Sequence, residues 1–429
     1  MKKYYISTFG CQMNFHDSEK ISGVLNAEGY AEAGGPSDAD VIIFNTCSIR
    51  QKAEQKFFSQ LGKMKAFKKR NPGLKIAVAG CIAQQEGDRI IQKAPFIDYV
   101  IGPQNINLLK DFILNEEKAI ATQDNPYLQD TDLPAERADT VKALVNIMYG
   151  CNNFCSYCIV PYTRGREKSR AAASIVREIN ELSQKGFKEV TLLGQNVNSY
   201  KSEVDFPGLL ERIKKIEGIK RIRFVTSHPK DLSEDLIFAI RDYENVCEHI
   251  HLPLQSGSSR VLGLMNRKYT YDEYLKKILT IRKEIPDISI TSDIIAGFPQ
   301  ETDEDHEETI NALKEIEFDG IFAFKYSQRP GTTASLMEGQ IEDAVKSVRL
   351  YEILDLQNKI TEKKNKYLER TTQEILIEGP SEKGHDKLTG RTRTNKIFIA
   401  PLHDGKKPGD IVSGLVTKAN RHSLYGEFV

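Results

Sequence analysis

The sequence predicts an α/β protein in three parts: a doubly wound parallel domain, a partial β/α barrel and a small carboxyl-terminal β-barrel. Two stretches, one ending near residue 118 and one beginning near residue 142, alternate short apolar strands with helical patterns. After residue 366 the chain changes to short β-type runs separated by Gly, Pro and Asn. A chain of 429 residues is also too long for one ordinary hydrophobic core.

The predicted amino-terminal domain, residues 1–118, contains four strands of a parallel sheet. These are Tyr4–Thr8, Val41–Asn45, Ile76–Ala79 and Tyr99–Ile101. Helical patterns lie between them, as in Asp17–Glu28 and Ile49–Lys69, which is the alternation of a doubly wound sheet. The polar stretch 119–141, which contains Pro and Asp, is predicted to be a linker.

The second domain, residues 142–366, repeats the β-then-α order six times. Its predicted strands are Ala143–Tyr149, Val190–Leu193, Arg223–Val225, His249–Leu254, Ser289–Ile295 and Ile321–Tyr326. Its predicted helices include Ala172–Gln184, Leu209–Ile216, Asp272–Glu284 and Asp303–Glu317, and a long one from about Ile341 to Lys366. Six repeats instead of eight predict a TIM-like barrel that stays open on one side.

The last segment, residues 367–429, is predicted to be a five-stranded barrel. Its strands are Glu374–Ile377, Leu388–Arg393, Ile397–Ala400, Ile411–Thr417 and Ser423–Val429. Between Lys387 and Val429, Lys and Arg outnumber Asp and Glu by eight to three, so this domain is locally basic.

Composition excludes several classes of protein and leaves the partner open. Sixty basic residues balance sixty acidic ones, so net charge identifies no partner. The amino terminus lacks the long apolar core of a signal peptide, and no apolar run approaches the roughly 18–20 residues of a membrane helix. We therefore expect a cytoplasmic protein. In a reducing compartment, seven unevenly spread cysteines favour metal or redox chemistry over disulfides.

Cys151, Cys155 and Cys158 place three thiols within eight residues, directly after an apolar strand. Thiolates are the ligands that iron–sulfur clusters take, and three of them leave one iron of a cubane cluster open. A zinc site is the first alternative, but structural zinc needs four ligands and no fourth lies nearby in sequence. Three buried thiols are the second alternative.

This CxxxCxxC motif, with Tyr157 before its last cysteine, resembles the radical S-adenosylmethionine superfamily. The resemblance implies that the open iron chelates the methionyl group of S-adenosylmethionine, and that electron transfer then releases a 5′-deoxyadenosyl radical. It also implies cofactor contacts near the motif and at strand ends, although a satisfied turn or core polar group is the alternative for each residue. The expected cofactor contacts are Tyr157, Gln195, Asn196, Ser227, Gln255, Ser256 and Asp293.

Cys11, Cys47 and Cys81 are far apart in sequence but share one structural context. Each follows a predicted strand of the amino-terminal sheet, so all three are expected at the same carboxyl edge, where parallel sheets bind ligands. Three buried cysteines are the alternative, since cysteine is often found in protein cores. We favour a second cluster that also has one iron without a protein ligand.

The segments Gly10–Asn14, Asn45–Arg50, Ala79–Cys81 and Pro161–Glu167 resemble methylthiotransferases of the MiaB family. The resemblance covers the whole chain in order and implies an auxiliary cluster domain, a radical domain and an RNA-binding, TRAM-like barrel. It implies two [4Fe–4S] clusters and S-adenosylmethionine as cofactors. The implied reaction adds a methylthio group to carbon 2 of N6-isopentenyladenosine beside the anticodon of tRNA.

Related enzymes leave alternatives open: methylthiolation of threonylcarbamoyladenosine in tRNA or of an aspartate in a ribosomal protein. An alternative of another class is a non-catalytic iron–sulfur protein that binds RNA or transfers electrons. We further expect a flavodoxin- or ferredoxin-type reductant and a monomer. Basic residues near the active edge and on the barrel are predicted to contact RNA, with a solvated charged face as the alternative for each. They are Arg164, Arg166, Arg329, Arg391, Arg393, Lys396 and Arg421.

Overall fold

The structure is a computed structural model that describes residues 1–48, 51–114, 118–130, 132–382, 384–403 and 405–429. Ile49 and Arg50, at the start of one predicted helix, lie outside the described residues. In the part of the chain that is described, no helix is long and apolar enough to cross a membrane.

The amino-terminal domain is a parallel sheet of six strands in the order β2-β1-β3-β4-β5-β6. The strands are β1 (Lys3–Thr8), β2 (Ala31–Glu32), β3 (Val41–Thr46), β4 (Lys75–Gly80), β5 (Tyr99–Ile101) and β6 (Ala119–Ala121). The helices are α1 (Gln12–Ala27), α2 (Gln51–Arg70), α3 (Cys81–Glu86), α4 (Asp88–Lys93) and α5 (Leu109–Leu114). The strand order reverses between β1 and β3, as a doubly wound sheet requires.

Strand β3 shows why both faces of this sheet are covered. Its side chains alternate between two cores: Ile42 and Phe44 pack with α2, and Val41 and Ile43 pack with α1. Every residue of β3 is buried, which is the pattern of a central parallel strand. The sequence did not predict β2 and β6, which have only two and three residues. Strand β6 consists of the first three residues of the segment that was predicted to be a linker.

The middle domain has six main parallel strands, as predicted, arranged as two three-stranded sheets. A parallel bridge between Ile222 and Val246 joins the two sheets. The strands are β7 (Lys142–Asn146), β8 (Met148–Tyr149), β9 (Lys168–Ser169), β10 (Glu189–Leu193), β11 (Arg221–Phe224), β12 (His249–His251), β13 (Ser289–Ala296) and β14 (Gly320–Lys325). Strands β8 and β9 form a separate antiparallel pair at the rim.

Amphipathic helices cover the outside of these strands and bury one continuous core. They are α7 (Ala172–Gln184), α8 (Phe206–Ile213), α9 (Glu234–Asp242), α10 (Ser259–Leu264), α11 (Tyr271–Glu284), α12 (Asp303–Ile316) and α13 (Asp343–Lys366), whereas the short helix α6 (Val160–Thr163) lies between β8 and β9. Capping boxes begin two of them, with Thr270 paired to Glu273 and Thr302 paired to Asp305. These caps stabilise the starts of α11 and α12, the helices that come after β12 and β13 in the chain.

The carboxyl-terminal domain is the predicted five-stranded barrel, closed in the order β15-β16-β17-β19-β18. The strands are β15 (Thr372–Ser381), β16 (Gly384–Thr392), β17 (Ile397–Pro401), β18 (Ile411–Ala419) and β19 (Leu424–Phe428). Phe398 fills its interior. Gly414 and Gly426 make room for that ring, because a Cβ on either would lie 2.8 Å from a ring carbon.

Buried arginines of β11 hold this barrel against the middle domain. The guanidinium of Arg221, which is fully buried, donates to the Glu374 carboxylate at 2.8 Å and to the Arg391 carbonyl at 2.7 Å. Arg223 donates to the Thr392 carbonyl at 2.7 Å. Because these bonds satisfy the barrel's backbone carbonyls, the barrel docks in one orientation.

We predict that Arg221→Leu loosens the docked barrel. The Arg391 carbonyl and the Glu374 carboxylate lose their buried donor, which should cost about 1–3 kcal/mol of unfolding free energy. Hydrogen exchange across 372–392 and denaturant unfolding measure the effect. The control is Arg212→Leu, because the ion pair of Arg212 with Glu203 is exposed and is worth about 0–1 kcal/mol. Equal effects of the two substitutions would contradict the docking role.

Candidate active site

Cys11, Cys47 and Cys81 emerge at one edge of the amino-terminal sheet. They follow β1, β3 and β4, which are neighbouring parallel strands in register. Cys47 comes directly after the end of β3, and Cys81 is the first residue of α3. Cys11 precedes α1, beside the point where the strand order reverses. The structure thus brings together three thiols that the sequence separates widely.

Two glycines allow this close approach. Gly10 has φ +129°, and a Cβ on it would lie 2.4 Å from the Cys47 Cβ. Gly80 has φ +89°, and a Cβ there would lie 2.4 Å from the Thr46 carbonyl oxygen. Glycine alone adopts these conformations without strain and leaves the space that the neighbouring chain occupies.

Buried amides fix the first turn of α1 against β3. The Asn14 Nδ2 donates to the Thr46 carbonyl at 2.9 Å and to the Asn45 Oδ1 at 3.1 Å, and the Asn45 Nδ2 donates to the Asn14 carbonyl at 2.7 Å. The Cys11 thiol donates to the Asn14 Oδ1 at 3.3 Å. Because α1 begins at Gln12, this network sets where Cys11 stands relative to Cys47.

The electrostatic environment of these thiols is uneven. A hydrogen bond with Cys47 lowers the pKa of Cys11, and burial raises the pKa of Cys81. A guanidinium from the middle domain, that of Arg164, attracts the negative forms of Cys81 and Cys11 and so lowers the pKa of both thiols. A positive charge beside thiols favours thiolates, which are the form that binds metal.

The second trio lies in the loop between β8 and β9. The Cys151 N–H donates to the Gly165 carbonyl at 3.1 Å, and the Cys158 N–H donates to the Cys155 carbonyl at 2.9 Å. The Arg267 Nη1 lies 3.4 Å from the Cys155 sulfur and 3.3 Å from the Tyr157 hydroxyl. The positive charge of this buried guanidinium also opposes the burial that raises the pKa of Cys158.

The segment after α10 clamps this loop from the other side. The Ser156 N–H donates to the Met265 carbonyl at 3.0 Å, and the Asn266 Nδ2 donates to the Phe154 carbonyl at 2.9 Å. Phe154 has φ +48°, an uncommon conformation for a bulky residue. The clamp holds that strained turn, so the three thiols keep a defined arrangement.

Burial raises the pKa of Cys151 to about 11 and that of Cys158 to about 12. Without metal both thiols are therefore protonated near neutral pH, and cluster binding releases their protons. This coupling is the expected behaviour of a buried thiolate site.

The three thiols of each site match the ligand set of a cubane cluster with one iron left open. A cubane cluster takes one thiolate at each of three irons. Among the described residues, no group of three or more His, Cys, Asp or Glu is arranged to hold a single metal ion. Each site offers three cysteines, and the seventh, Cys247, is buried elsewhere, between β11 and β12.

Unpartnered buried polar atoms mark a further binding region at the ends of β10 and β11. In the part of the chain that the structure describes, four side chains there have buried polar atoms without a hydrogen-bond partner: Gln195, Asn196, Ser227 and His228. Buried polar groups are nearly always paired, so this concentration fits a polar ligand that is bound during function. Three of the four are among the predicted cofactor contacts, which fits the amine and carboxylate of S-adenosylmethionine.

A cavity of about 190 Å³ opens beside Cys158. Its walls are mainly apolar and aromatic. They include Tyr157, Ile159, Val160, Gln255, Asp293, Ile295, Phe324, Lys325, Tyr326 and Arg329. Both cations in this wall already have partners, since Lys325 pairs with Asp343 at 2.7 Å and Arg329 with Glu54 at 3.0 Å. Among the other predicted cofactor contacts, Ser256 is buried against Thr309 and does not line this cavity.

The two cysteine sites lie on elements that touch. Helix α3, which begins with Cys81, contacts α6, which follows Cys158. The Arg329–Glu54 ion pair also crosses between the two domains, and Arg329 lines the cavity beside Cys158.

The basic residues predicted to contact RNA divide into two groups. Arg164, Arg329, Arg391, Arg393 and Lys396 all form ion pairs with carboxylates within the chain. In particular, Arg393 pairs with Glu248 and Lys396 with Asp319, so these barrel residues dock the barrel on the middle domain. Arg166 and Arg421 are exposed; Arg166 stacks 4.2 Å from the Phe154 ring centroid.

Some site residues escaped prediction from sequence. Asp17 lies six residues after Cys11 and three after Asn14, a helical spacing that was a usable signal. Arg267 has no such signal, because only the folded chain brings it from a distant segment to Cys155.

Three family models match the chain. Residues 3–102 match "Uncharacterized protein family UPF0004", residues 145–313 match the "Radical SAM superfamily" and residues 359–429 match the "TRAM domain". A protein of Thermodesulfovibrio yellowstonii named tRNA-2-methylthio-N(6)-dimethylallyladenosine synthase is 57% identical over 427 residues, which is 99% of this chain and 98% of that protein. A protein of the same name from Clostridium novyi is 47% identical over 444 residues, covering 100% of this chain and 97% of that protein.

Solved structures share the fold at low identity. The radical S-adenosylmethionine methyltransferase TsrM from Kitasatospora setae, with cobalamin and a [4Fe-4S] cluster bound, aligns with a TM-score of 0.60 at 14% identity and covers 78% of this chain and 77% of that chain. The cobalamin-dependent S-adenosylmethionine radical enzyme OxsB aligns with a TM-score of 0.53 at 11% identity and covers 84% of this chain and 56% of that chain.

We predict that Gly10→Ala disrupts the first cysteine trio. The added Cβ meets the Cys47 side chain and the residue is strained at positive φ, so iron per reconstituted chain should fall from about eight to about four if each trio holds a cubane cluster. The control is Gly29→Ala, since Gly29 also has positive φ but nothing within 4 Å of its Cβ position. Full iron in the Gly10 variant would contradict the close packing.

Proposed function

The chain belongs to the family of radical S-adenosylmethionine enzymes named tRNA-2-methylthio-N(6)-dimethylallyladenosine synthase, and on that premise we propose how it works. It attaches a methylthio group to carbon 2 of N6-isopentenyladenosine next to the anticodon of tRNA. The observation that carries this proposal is the pair of cysteine trios: helix α3, which begins with Cys81, contacts α6, which follows Cys158, and a cavity opens beside Cys158. The resemblance to this family, expected from the cysteine motifs, is confirmed.

We propose Cys151, Cys155 and Cys158 as ligands of the radical cluster and Cys11, Cys47 and Cys81 as ligands of the auxiliary cluster. When bound, the clusters supply the electron that cleaves S-adenosylmethionine and the site that carries the sulfur to be transferred. Radical chemistry suits this reaction, because the C–H bond at carbon 2 of adenine offers no acidic proton to a general base. The guanidinium groups of Arg164 and Arg267 oppose the burial that raises the pKa of Cys81 and Cys158, so they ease the deprotonation that cluster binding requires.

The side chains around the clusters bind and orient the other reactants. Gln195, Asn196 and Ser227 offer polar atoms to S-adenosylmethionine at the carboxyl ends of β10 and β11, the edge where barrels of this type act. Phe324 and Tyr326 offer aromatic faces in the cavity beside Cys158. An adenine that leaves its stack can pack there, which is how enzymes reach the atoms of a base.

The cavity favours an isopentenyl group over a threonylcarbamoyl group. The aliphatic side chains of Ile159, Val160 and Ile295 suit a branched hydrocarbon. A threonylcarbamoyl carboxylate needs a cation, but Lys325 and Arg329 are already paired, and Asp293 adds a negative charge to the wall. Desolvating an unpaired carboxylate there is unfavourable.

The barrel domain supports the assignment of tRNA as substrate, since a basic surface attracts the phosphate backbone without reading sequence. Exposed Arg421 and Arg166 are the strongest candidates for such contacts, whereas Arg391, Arg393 and Lys396 act first in intramolecular pairs. We further propose that the protein is cytoplasmic and monomeric and that a flavodoxin- or ferredoxin-type protein reduces it.

We predict that the reconstituted enzyme modifies isopentenyladenosine alone. Anaerobic incubation with reductant and S-adenosylmethionine, followed by mass spectrometry of nucleosides, should show the methylthio mark on tRNA that carries isopentenyladenosine. A matched tRNA that carries threonylcarbamoyladenosine should stay unmarked. A product on the second tRNA, or only on a ribosomal protein, would assign the chain to the other substrate.

We predict that replacing Cys151, Cys155 and Cys158 with Ala abolishes 5′-deoxyadenosine formation and retains about four irons per chain, because the other trio holds its own cluster. The matched variant with Ala at Cys11, Cys47 and Cys81 should still form 5′-deoxyadenosine but no methylthio product. Chromatography of the nucleoside and an iron assay measure both. Loss of all iron in either variant would contradict two independent sites.

A further inference from the structure

Residues 164–166 lie wedged between the two cysteine sites. The Gly165 carbonyl accepts the N–H of Cys151, so this segment fixes the start of the second trio. A Cβ on Gly165 would lie 2.3 Å from the Gln104 Nε2, and one on Gly150 would lie 2.0 Å from the Arg166 carbonyl oxygen. The segment therefore has no room to shift toward either domain.

The side chain of Arg164 extends from this segment to the first trio. Arg164 is only 5% exposed, and its Nη2 donates to the Asp17 Oδ2 of α1 at 2.7 Å. Arg164 directly follows α6, which contacts the helix α3 that begins with Cys81, and its positive charge attracts the negative forms of Cys81 and Cys11. Its own backbone carbonyl accepts a hydrogen bond from the Gln104 Nε2 at 3.2 Å, which ties it to the amino-terminal domain a second time.

A buried guanidinium beside a cluster has a definite electrostatic effect. Arginine stays charged in proteins, and its interactions are strong where water is excluded. One-electron reduction adds negative charge to a cluster, so a nearby positive charge raises the reduction potential and a nearby negative charge lowers it. Arg164 and Asp17 therefore act in opposite directions on a cluster at Cys11, Cys47 and Cys81.

We propose that Arg164 is a positioning residue of the auxiliary site, which raises the reduction potential of that cluster and ties its location to Cys151 of the radical site. The proposal rests on the proposed function, because it takes the auxiliary cluster from there. It adds a role for a residue that the sequence pattern assigned to RNA contact. A single dipeptide then serves both sites, with the Arg164 side chain at one and the Gly165 backbone at the other.

The test uses the full chain with Ala at Cys151, Cys155 and Cys158, so that only the auxiliary cluster remains. An anaerobic redox titration followed by electron paramagnetic resonance gives its midpoint potential. We expect Arg164→Gln to shift the midpoint to a more negative value, Asp17→Asn to shift it to a more positive one, and Arg164→Lys to keep it near that of the parent protein.

The matched control is Arg137→Gln. Arg137 also links α1 to the middle domain, through Glu19 at 2.9 Å and Glu178 at 2.6 Å, and its side chain is 11% exposed, but no cysteine contacts it in the interactions described for the chain. Its variant should leave the midpoint unchanged while losing a comparable interdomain ion pair. Melting temperatures of all variants report any general loosening.

An unchanged midpoint in Arg164→Gln would overturn the proposal, and so would shifts of the same sign in the Arg164→Gln and Asp17→Asn variants. Should Arg164→Gln bind no iron, Asp17→Asn decides alone: a positive shift supports the proposal, and no shift or a negative one overturns it. Neither tRNA nor S-adenosylmethionine enters this experiment. Failure of the proposed function would appear separately, as unmodified tRNA from the parent enzyme.

Discussion

The parallel pairing of β1, β3 and β4 is the constraint on which the rest of the structure depends. Parallel strands end at one edge, so a cysteine just beyond each of three neighbouring strands joins the other two regardless of the sequence between them. Gly10 and Gly80 then permit the final approach, and the Asn14–Asn45 amide network fixes its register. Two of these strands, β3 and β4, are almost fully buried, which makes the base of the site rigid.

The second trio depends on tertiary contacts instead of strand pairing. A short loop supplies its thiols, and two segments of the middle domain hold them in place: the residues after α10 on one side and, within the loop itself, Arg164–Gly165 on the other. Because Arg164 also pairs with Asp17 of α1, the helix that begins after Cys11, the two sites are mechanically and electrostatically linked. For chemistry that passes a sulfur group and a radical to one base, such a link keeps both sources at the same substrate.

Much of this arrangement follows from local sequence signals. The three-part architecture, the six barrel strands, the five-stranded barrel and the common edge of Cys11, Cys47 and Cys81 follow from strand periodicity and the position of each cysteine after a strand. Strands β2 and β6 were missed because they are too short to show an alternating pattern of apolar and polar residues. Only their pairing with β1 and β5 defines them as strands.

The role of the basic residues could not be predicted from sequence. Arg393 and Lys396 belong to a basic stretch that suggested a nucleic-acid surface, yet the fold pairs them with Glu248 and Asp319 of another domain. Charge density along a chain does not reveal which partner the fold provides.

The most direct test of adjacent clusters is the electron paramagnetic resonance spectrum of the fully reduced two-cluster protein. Adjacent sites predict a spin-coupled spectrum that differs from the sum of the two single-cluster variants' spectra, whereas a spectrum equal to that sum would contradict the account.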